Sequence, residues 1–181
     1  MTISDSSNKK QQLRSEIRGL LADGQRDSAP VCEAVRRWLA ARPALRTVAL
    51  FAALPEEVDL LPLQAWDSNR RWVFPRVCGD DLRFHEVCDV ARDLLRGTLG
   101  IREPSPALPR VPLREVDVFL CPGLAFDANG GRLGRGRGYY DRALASARPD
   151  AIKLGICHPV QRVADTFPQA HDVIMDEVIS G

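Results

Sequence analysis

The sequence predicts an α/β protein in which a mostly parallel β-sheet is covered by helices. Apolar runs of strand length alternate along the chain with segments whose apolar residues recur at helical spacing. The 181 residues suit a single domain over residues 1–181, which would bury roughly 70% of the surface that the unfolded chain exposes. Residues 1–8 are polar and expected to be frayed. Five scattered cysteines form no C-x-x-C pair, so the fold needs neither a disulfide frame nor a zinc site.

The N-terminal half begins with two predicted helices. Apolar positions recur at helical spacing from Lys9 to near Gly24. A second helix follows Ser28 and ends before Pro43. The run Thr47–Leu54 is continuously apolar, as expected of a strand that is buried on both faces of a parallel sheet. The next predicted elements are a helix over 60–69, a strand over 71–77 and an edge strand over 81–87.

The C-terminal half follows a connector with four prolines between residues 104 and 112. This connector could be a domain linker, but the about 70 residues after it would form a poor core by themselves. Val116–Cys121 is predicted to be a short buried strand that ends at Pro122. The remaining predicted elements are a helix over 138–147, a strand over 152–157, a helix after Pro159 and a last strand near 172–179.

Composition excludes several classes of function. The net charge of +1 gives no excess positive field for bulk nucleic-acid binding. The N-terminus lacks the apolar segment of a signal peptide, and no apolar run approaches the ~18 residues of a membrane span. The three histidines are too dispersed to indicate a metal site. We therefore expect a cytoplasmic protein that acts as a monomer, with no nucleic-acid or membrane partner.

The segment Gly130–Arg142 carries the strongest functional signal. It contains five of the thirteen glycines and four arginines, and it lies between a predicted strand and a predicted helix. Glycines let a backbone approach a ligand closely, and free N–H groups at a helix start bind phosphate together with nearby arginines. Asp141 would be out of place in such a loop unless a cation bridged it to the phosphates. The loop therefore predicts a site for a magnesium nucleotide.

Neither common nucleotide fingerprint matches this loop. Gly131 and Gly136 have the Walker spacing, but Arg137-Gly138 stands where that motif requires Lys-Ser or Lys-Thr. The glycines at 134, 136 and 138 also differ from the dinucleotide pattern G-x-G-x-x-G. A flexible solvated turn and an RNA-binding Gly-Arg segment are alternatives. The preceding strand and the Tyr-Tyr-Asp ending favour the nucleotide site.

Pro122–Asp127 followed by Gly131–Asp141 resembles the signature of the 5-formyltetrahydrofolate cyclo-ligases, also called methenyltetrahydrofolate synthetases. Four further blocks are similar to that family: Lys10-x-x-Leu13-Arg14, Glu56-Glu57-Val58-Asp59, Gly100-Ile101-x-Glu103-Pro104 and His171-Asp172-Val173-x-Met175-Asp176. The glycine-tyrosine block is highly specific, whereas the N-terminal and C-terminal blocks would be weak alone.

The resemblance implies a fold and an activity. The fold would be Rossmann-like, of the NagB/RpiA/CoA-transferase-like type. The activity would be the conversion of 5-formyltetrahydrofolate to 5,10-methenyltetrahydrofolate, with ATP as co-substrate, Mg²⁺ as cofactor, and ADP and phosphate as products. The partners would be these two small molecules, and no protein nucleophile would be required.

The resemblance also implies which residues hold ATP. Lys10 and Arg14, four residues apart on one helix face, would reach the phosphates. Arg14 and Arg132 would be the catalytic residues, close to the transferring phosphoryl group. The full ATP-binding set would be Lys10, Arg14, Arg132, Leu133, Gly134, Arg135, Gly136, Arg137, Gly138, Tyr139 and Tyr140.

The folate and metal sites follow from the same resemblance. Glu57 would accept hydrogen bonds from the folate with Glu56 as a bystander, and Tyr140 would lie against the folate. Asp141 would bind magnesium, and Asp176 would be a second metal ligand.

Two positions depart from the family's pattern. Arg137 occupies a variable position, which leaves its contact with phosphate open. Leu99 stands near a position where some relatives carry a tryptophan that stacks on folate, so Phe51, Phe126 or a tyrosine would have to replace that contact.

Other functions on the same fold stay open at this point. They are a non-catalytic paralogue that binds nucleotide or folate, an RNA-binding module that uses the arginine loop, and a sugar-phosphate isomerase that needs no ATP. Joint retention of Lys10, Arg14, Glu57 and Asp141 favours the enzyme, because an RNA-binding loop needs neither carboxylate.

Overall fold

A computed structural model describes residues 3–22, 24, 26–97 and 100–181, with side chains from residue 6 onward. One seven-stranded sheet forms its centre. In chain order its strands are β1 (Thr47–Ala49), β2 (Arg71–Cys78), β3 (Asp81–Glu86), β6 (Arg110–Val111), β7 (Val118–Cys121), β10 (Ile152–Ile156) and β11 (Glu177–Ile179). Two small antiparallel ribbons pair β4 (Leu94–Arg96) with β5 (Arg102–Pro104), and β8 (Ala125–Phe126) with β9 (Arg132–Leu133). The helices are α1 (Ile3–Ala22), α2 (Ala29–Ala40), α3 (Pro62–Trp66), α4 (Val90–Asp93) and α5 (Tyr139–Ala145).

The strand order of the sheet is β11-β10-β7-β1-β2-β3-β6. All pairs from β11 to β2 are parallel, and only β2–β3 and β3–β6 are antiparallel. This mostly parallel sheet covered by helices confirms the predicted fold class.

The side chains of the central strands alternate between the two faces of the sheet, and both faces are buried. On one face, Val118 and Leu120 pack in the cluster that contains the apolar side of α2. On the opposite face, Phe119 and Cys121 pack in the cluster that contains Ala143 and Leu144 of α5. The strands are therefore fixed by packing from both sides, and the loops at their ends carry the free polar groups.

Several predicted elements differ from the structure at their ends. The first helix begins at Ile3, so residues 3–8, which we expected to be frayed, lie within α1; residues 1 and 2 lie outside the described part of the chain. The first strand covers only Thr47–Ala49. The helix predicted over 60–69 is the five-residue α3, and the last strand begins only at Glu177.

The predicted edge strand over 81–87 is not an edge. Phe84 and His85 pair with Val111 and Arg110, so a two-residue strand inside the proline-rich connector covers β3. The sequence does not predict this strand, because prolines stand on both sides of it and proline is disfavoured in strands. Proline is nonetheless compatible with an outermost strand, where its missing N–H costs no ladder hydrogen bond.

The helix predicted after Pro159 is a single 3₁₀ turn, Pro159–Gln161. The chain after this turn pairs with the β8–β9 hairpin instead of continuing as a helix. Val163 donates its N–H to the carbonyl of Phe126 at 2.9 Å, and Arg162 forms a bridge with the same residue. Tertiary pairing therefore replaces the local helical preference.

Asp127 fixes the hairpin that presents the glycine loop. Its Oδ1 accepts the N–H groups of Asn129 and Gly131, both at 2.9 Å. Its Oδ2 accepts both the N–H and the hydroxyl of Thr166, at 3.0 and 2.6 Å. A Cβ at Gly131 would lie 2.2 Å from Asp127 Oδ2, so only glycine fits beside this buried carboxylate.

Within the described residues, we find no helix that combines the length and the apolar character needed to cross a membrane.

Candidate active site

A cleft of about 430 Å³ opens beyond the carboxyl ends of β1 and β7. Phe51 and Ala52 continue from β1 into its lining, and Pro122 and Gly123 continue from β7. Open parallel sheets bind their ligands in this position, because the loops that follow neighbouring parallel strands meet at one edge. Of the sequence-predicted site residues, every one except Asp176 lines the cleft.

The glycine loop forms one side of the cleft. Gly136 and Gly138 have φ values of +99° and +65°, a region that side-chain-bearing residues rarely adopt. Gly138 is the residue before α5, so its left-handed conformation turns the chain into the helix that carries Tyr139, Tyr140 and Asp141. The loop could therefore not follow this path with ordinary residues at these two positions.

Arg132 and Asp141 form an ion pair inside the cleft. The Nη2 of Arg132 donates to Asp141 Oδ1 at 2.8 Å, and only 4% of the arginine side chain is exposed. The guanidinium carbon lies 5.5 Å from the centre of the Tyr140 ring, and Nη1 lies 3.4 Å from the carbonyl of Pro122. Among the described residues, Nε of Arg132 has no hydrogen-bond partner. This Nε is buried, so it is an unsatisfied donor inside the protein and not a group exposed to the cleft.

Arg135 joins the glycine loop to the glutamate pair that follows β1. Its guanidinium donates to Oε1 of Glu56 at 2.7 Å and to Oε1 of Glu57 at 3.0 Å. Glu57 is the more buried glutamate, with 10% of its side chain exposed, and its Oε2 accepts the N–H of Leu54 at 3.1 Å. Glu56, expected to be a bystander, therefore shares the arginine with Glu57.

The two glutamates have opposite pKa shifts. Burial raises the pKa of Glu57, and the hydrogen bonds from Leu54 and Arg135 oppose the rise without cancelling it. Burial acts in the same direction at Glu56, but the hydrogen bond and charge of Arg135, the backbone N–H of Glu56 and the charge of Arg18 together outweigh it and lower the pKa.

Helix α1 forms the opposite side of the cleft with two cations. The Nζ of Lys10 donates to Asp172 Oδ2, and Lys10 is almost fully buried. The Nε of Arg14 donates to the carbonyl of Gly134 at 3.0 Å. Burial, assisted by the neighbouring Arg18, lowers the pKa of Arg14. The predicted shared helix face of Lys10 and Arg14 is confirmed, since both line the cleft.

Asp176, which the resemblance implies as a second metal ligand, does not line the cleft. Its carboxylate accepts the N–H of Lys153 at 2.7 Å beside β10, and 53% of its side chain is exposed. Asp172, from the same predicted block, lines the cleft instead. Burial acts to raise the pKa of Asp172, but the hydrogen bonds from Lys10 and from the Gln169 N–H outweigh it, so the pKa is lowered.

The aromatic residues of the loop occupy different surroundings. Tyr140 lines the cleft beside Arg132, and burial raises its pKa well above the ordinary value. The hydroxyl of Tyr139 donates to the carbonyl of Gly79 at 3.4 Å, so this ring lies at the β2–β3 turn. Phe51 lines the cleft, whereas Phe126 is core. Leu99, where a stacking partner was in question, lies outside the described residues.

The carboxylates of the cleft fit a magnesium ion that is bound together with phosphate. Residues 3–181, apart from the undescribed positions, contain no group of three or more His, Cys, Asp or Glu side chains that could hold a metal unaided. Asp141 and Asp172 both line the cleft, and Asp141 Oδ1 accepts the N–H of Val173 at 3.3 Å, next to Asp172. Mg²⁺ is typically held by one or two carboxylates plus substrate phosphates and waters.

Sequence reasoning missed several residues of the cleft, including Gln169, His171 and Asp172 on one side and Arg102 on the other. The block that begins with His171-Asp172 resembles the family's pattern. Its backbone is neither helix nor strand, so no periodicity predicts which of its residues faces the cleft.

The fold and cleft define an α/β protein with a cationic, glycine-lined ligand site at the ends of its parallel strands. A family model described as the 5-formyltetrahydrofolate cyclo-ligase family matches residues 6–181. The chain therefore belongs to the 5-formyltetrahydrofolate cyclo-ligase family.

Individual relatives agree with that family. The chain is 29% identical over 180 residues to the 5-formyltetrahydrofolate cyclo-ligase of Escherichia coli K12, covering 93% of this chain and 96% of the relative. A match to the Mycolicibacterium smegmatis enzyme of the same name is 39% identical but covers only 48% of this chain and 45% of the relative. The structure of Aquifex aeolicus 5,10-methenyltetrahydrofolate synthetase superimposes with a TM-score of 0.79 at 30% identity, covering 94% of this chain and 89% of that chain.

Proposed function

We propose that this protein converts 5-formyltetrahydrofolate to 5,10-methenyltetrahydrofolate, consuming ATP and releasing ADP and phosphate. Membership of the cyclo-ligase family supports the reaction. Within the structure, the observation that supports this reaction is the set of residues that line the cleft. Three cations line the cleft together with the glycine loop: Lys10, Arg14 and Arg132. Glu57 and Tyr140 line the same cavity.

The chemistry requires activation of a poor electrophile, because the N5 formyl group is an amide. Its oxygen attacks the γ-phosphorus of ATP, so that the new O–P bond replaces the bond to ADP. N10 then attacks the activated formyl carbon, the C–O bond breaks, and phosphate leaves with the formyl oxygen. The nitrogen loses its proton as the ring closes. Positioning and charge neutralisation supply most of the rate enhancement in such transfers, and no protein nucleophile is needed.

Arg14 and Arg132 are the catalytic residues in this proposal. Arg14 is held toward the loop by its bond to Gly134, and Arg132 lines the same cleft beside Asp141. Both side chains carry charge into the cleft, where electrostatic stabilisation of a transferring phosphoryl group is stronger than in bulk water. Lys10 and the loop residues hold the remaining phosphates.

Glu57 and Tyr140 bind the folate. Arg135 hydrogen-bonds the Glu57 carboxylate and so fixes its position. The same contact favours the ionised form of Glu57, whereas burial favours the neutral form. An oriented carboxylate accepts hydrogen bonds from the N–H donors of a pterin ring. Tyr140 supplies an aromatic face beside Arg132.

Asp141 and Asp172 hold Mg²⁺ together with the phosphates, and Asp172 takes the role first given to Asp176. The ion would neutralise charge on the phosphates of the bound nucleotide. Each carboxylate has a basic partner in the structure, Arg132 for Asp141 and Lys10 for Asp172. Lys10 also helps to lower the pKa of Asp172, which favours the ionised form that binds a cation.

The RNA-binding alternative receives no support from the loop's arginines. Arg132 and Arg135 are engaged with carboxylates within the cleft, and are not displayed as a basic surface. Cytoplasmic location, the monomeric state and the lack of nucleic-acid or membrane partners remain predictions.

Turnover with 5-formyltetrahydrofolate tests the proposed function. Methenyltetrahydrofolate absorbance should rise only when a hydrolysable nucleoside triphosphate and a divalent cation are both present, because phosphoryl transfer creates the leaving group. ADP should form in equal amount. Equal product formation with a non-hydrolysable ATP analogue would rule the mechanism out.

A further inference from the structure

The 3₁₀ turn after β10 lies next to the cleft without lining it. His158 precedes this turn and Gln161 ends it, and only 3% and 1% of the surface of these residues is exposed. Within the described part of the chain, the residues that line the cleft include neither of them. Because β10 pairs in parallel with β7, the turn stands beside the loop that follows β7. Polar side chains that are buried here must find their hydrogen-bond partners within the protein.

Both ends of the Gln161 amide are hydrogen-bonded. Its Oε1 accepts the N–H of His158 at 2.8 Å. Its Nε2 donates to the carbonyls of Gly123 and Leu124, at 2.8 and 3.1 Å. One buried side chain therefore ties the loop after β10 to the loop after β7. An apolar residue in its place would leave these backbone groups without the bonds that Gln161 supplies.

The segment that Gln161 holds, residues 122–124, is the surface on which Arg132 lies. A Cβ at Gly123 would be 3.2 Å from Cγ of Arg132, so the stem of the arginine packs against the Gly123 backbone. At the other end of the side chain, Nη1 lies 3.4 Å from the carbonyl of Pro122. A displacement of this segment would therefore also displace the guanidinium of Arg132.

Glu57, on the folate side of the cleft, is held by other groups. Its carboxylate is bonded to Arg135 and to the N–H of Leu54. Burial lowers the pKa of His158, and a hydrogen bond from the His158 ring to the backbone carbonyl of Glu57 opposes this shift. A change at Gln161 that keeps the bond to the His158 N–H should therefore leave Glu57 in place.

We propose that Gln161 is a positioning residue for phosphoryl transfer, which rests on the proposed function. By fixing the carbonyls of Gly123 and Leu124, it holds Arg132 where the phosphoryl group is transferred. Gln161 contacts neither substrate and acts through Arg132. The position of such a group matters for the rate, since a misplacement of about 1 Å can cost roughly a hundredfold.

Gln161→Glu separates the two ends of the amide. The introduced carboxyl group keeps an oxygen for the N–H of His158, but it cannot donate to both carbonyls. We expect kcat/KM for ATP to fall about ten- to a hundredfold, because Arg132 loses its fixed position. The calorimetric affinity for 5-formyltetrahydrofolate, measured without ATP, should stay close to that of the wild type.

A double-mutant cycle with Arg132→Ala shows whether Gln161 acts through Arg132. In the Arg132→Ala background, Gln161→Glu should lower kcat/KM for ATP no further, because no guanidinium is left to misplace. The calorimetric affinity for magnesium ATP gives the same cycle where the double variant turns over too slowly. Gln161→Asn, whose shorter side chain cannot reach both loops, replaces Gln161→Glu in the cycle if that variant does not fold.

Asp117→Ala is the matched control for loss of stability. Asp117 accepts the N–H groups of Arg46 and Thr47, at 2.6 and 2.7 Å, at the edge of the sheet opposite the cleft. Its removal should lower the free energy of unfolding, measured with denaturant, and leave kcat/KM for ATP unchanged.

The outcomes separate the role of Gln161 from the proposed function. A full further loss in the Arg132→Ala background, or an affinity for folate that falls as much as kcat/KM for ATP, overturns the positioning role and leaves the reaction intact. An equal loss of kcat/KM in Asp117→Ala would assign the effect to stability, which also overturns the role. A wild type that does not turn over 5-formyltetrahydrofolate overturns the proposed function and this role with it.

Discussion

Arginine–carboxylate pairs determine how the cleft is organised at the scale of single residues. Arg132 holds Asp141, and Arg135 holds Glu57. Removing one partner of a mostly buried pair leaves an uncompensated charge, which costs far more than an exposed pair contributes. Substitutions that keep the shape and remove the charge are therefore the informative ones.

Folate binding should depend on Glu57 far more than on Glu56. Glu57→Gln removes a carboxylate that accepts charge-assisted hydrogen bonds in a desolvated site, at a cost of about 1.5–3 kcal/mol, or roughly ten- to a hundredfold in affinity. Glu56→Gln is the matched control, since Glu56 contacts the same arginine but is more exposed. Calorimetry with 5-formyltetrahydrofolate measures both. A small and equal loss in the two variants would show that Glu57 does not contact the folate.

Asp141→Asn should reduce turnover severely, and added magnesium should restore part of it. Asparagine keeps an oxygen for Arg132 but loses the negative charge that favours a cation, and mass action opposes weakened metal binding. Turnover is measured against magnesium concentration. Asp176→Asn is the control and should behave as wild type, because Asp176 lies outside the cleft. Normal turnover of Asp141→Asn at limiting magnesium would remove the metal role from Asp141.

At the scale of elements, the β8–β9 hairpin sets the position of the glycine loop. The hairpin is fixed by Asp127, which accepts two hydrogen bonds from the turn, at Asn129 and Gly131, and two from Thr166. Burial acts to raise the pKa of Asp127, but the bonds from Thr166 and from the backbone outweigh it and lower the pKa. The ionised form is therefore the one that stabilises the hairpin.

Thr166→Val should lower the free energy of unfolding by about 1–3 kcal/mol at pH 7, the cost of removing a hydrogen bond to a buried carboxylate. Because the folded pKa of Asp127 lies below the unfolded value of about 3.9, its stabilisation is complete above that value and is lost as the pH falls toward the folded pKa. The difference between wild type and variant should thus narrow under acid conditions.

Denaturant unfolding at neutral and acid pH measures this difference. Thr166→Ser keeps the hydroxyl and should retain most of the stability. If the Thr166→Val deficit were as large below pH 3.9 as at pH 7, the hydroxyl's bond to ionised Asp127 would not be its source.

The elements also show how far sequence reasoning reaches. The spacing of Lys10 and Arg14 places them on one helix face, and the resemblance to the family predicts that they lie with the glycine loop, where the structure has them line one cleft. The bond from Arg135 to Glu57 could not be predicted, since 78 residues separate the partners and only the folded sheet brings them together. The sequence also does not show which of Asp172 and Asp176 lines the cleft. Neither residue belongs to a helix or strand, so no periodicity distinguishes their directions.

At the scale of the whole molecule, the parallel order of β10, β7, β1 and β2 brings the cleft's loops to one edge of the sheet. Helix α1 closes that edge, since Ile17 and Leu21 pack against Leu124 and Leu133 of the hairpin region. The nucleotide cations of α1 and the loop that follows β9 are thereby held together. This arrangement suits transfer between two bound substrates, for which relative positioning supplies much of the rate.

The central claim is that the formyl oxygen of the folate is phosphorylated by ATP. Its most direct test follows oxygen-18 placed in the formyl group of 5-formyltetrahydrofolate during turnover. The label should appear in the released inorganic phosphate, in equal amount to the methenyltetrahydrofolate formed, because the C–O bond breaks after the O–P bond forms. A parallel reaction of unlabelled folate in labelled water controls for exchange. Label found in water, with unlabelled phosphate, would contradict the mechanism.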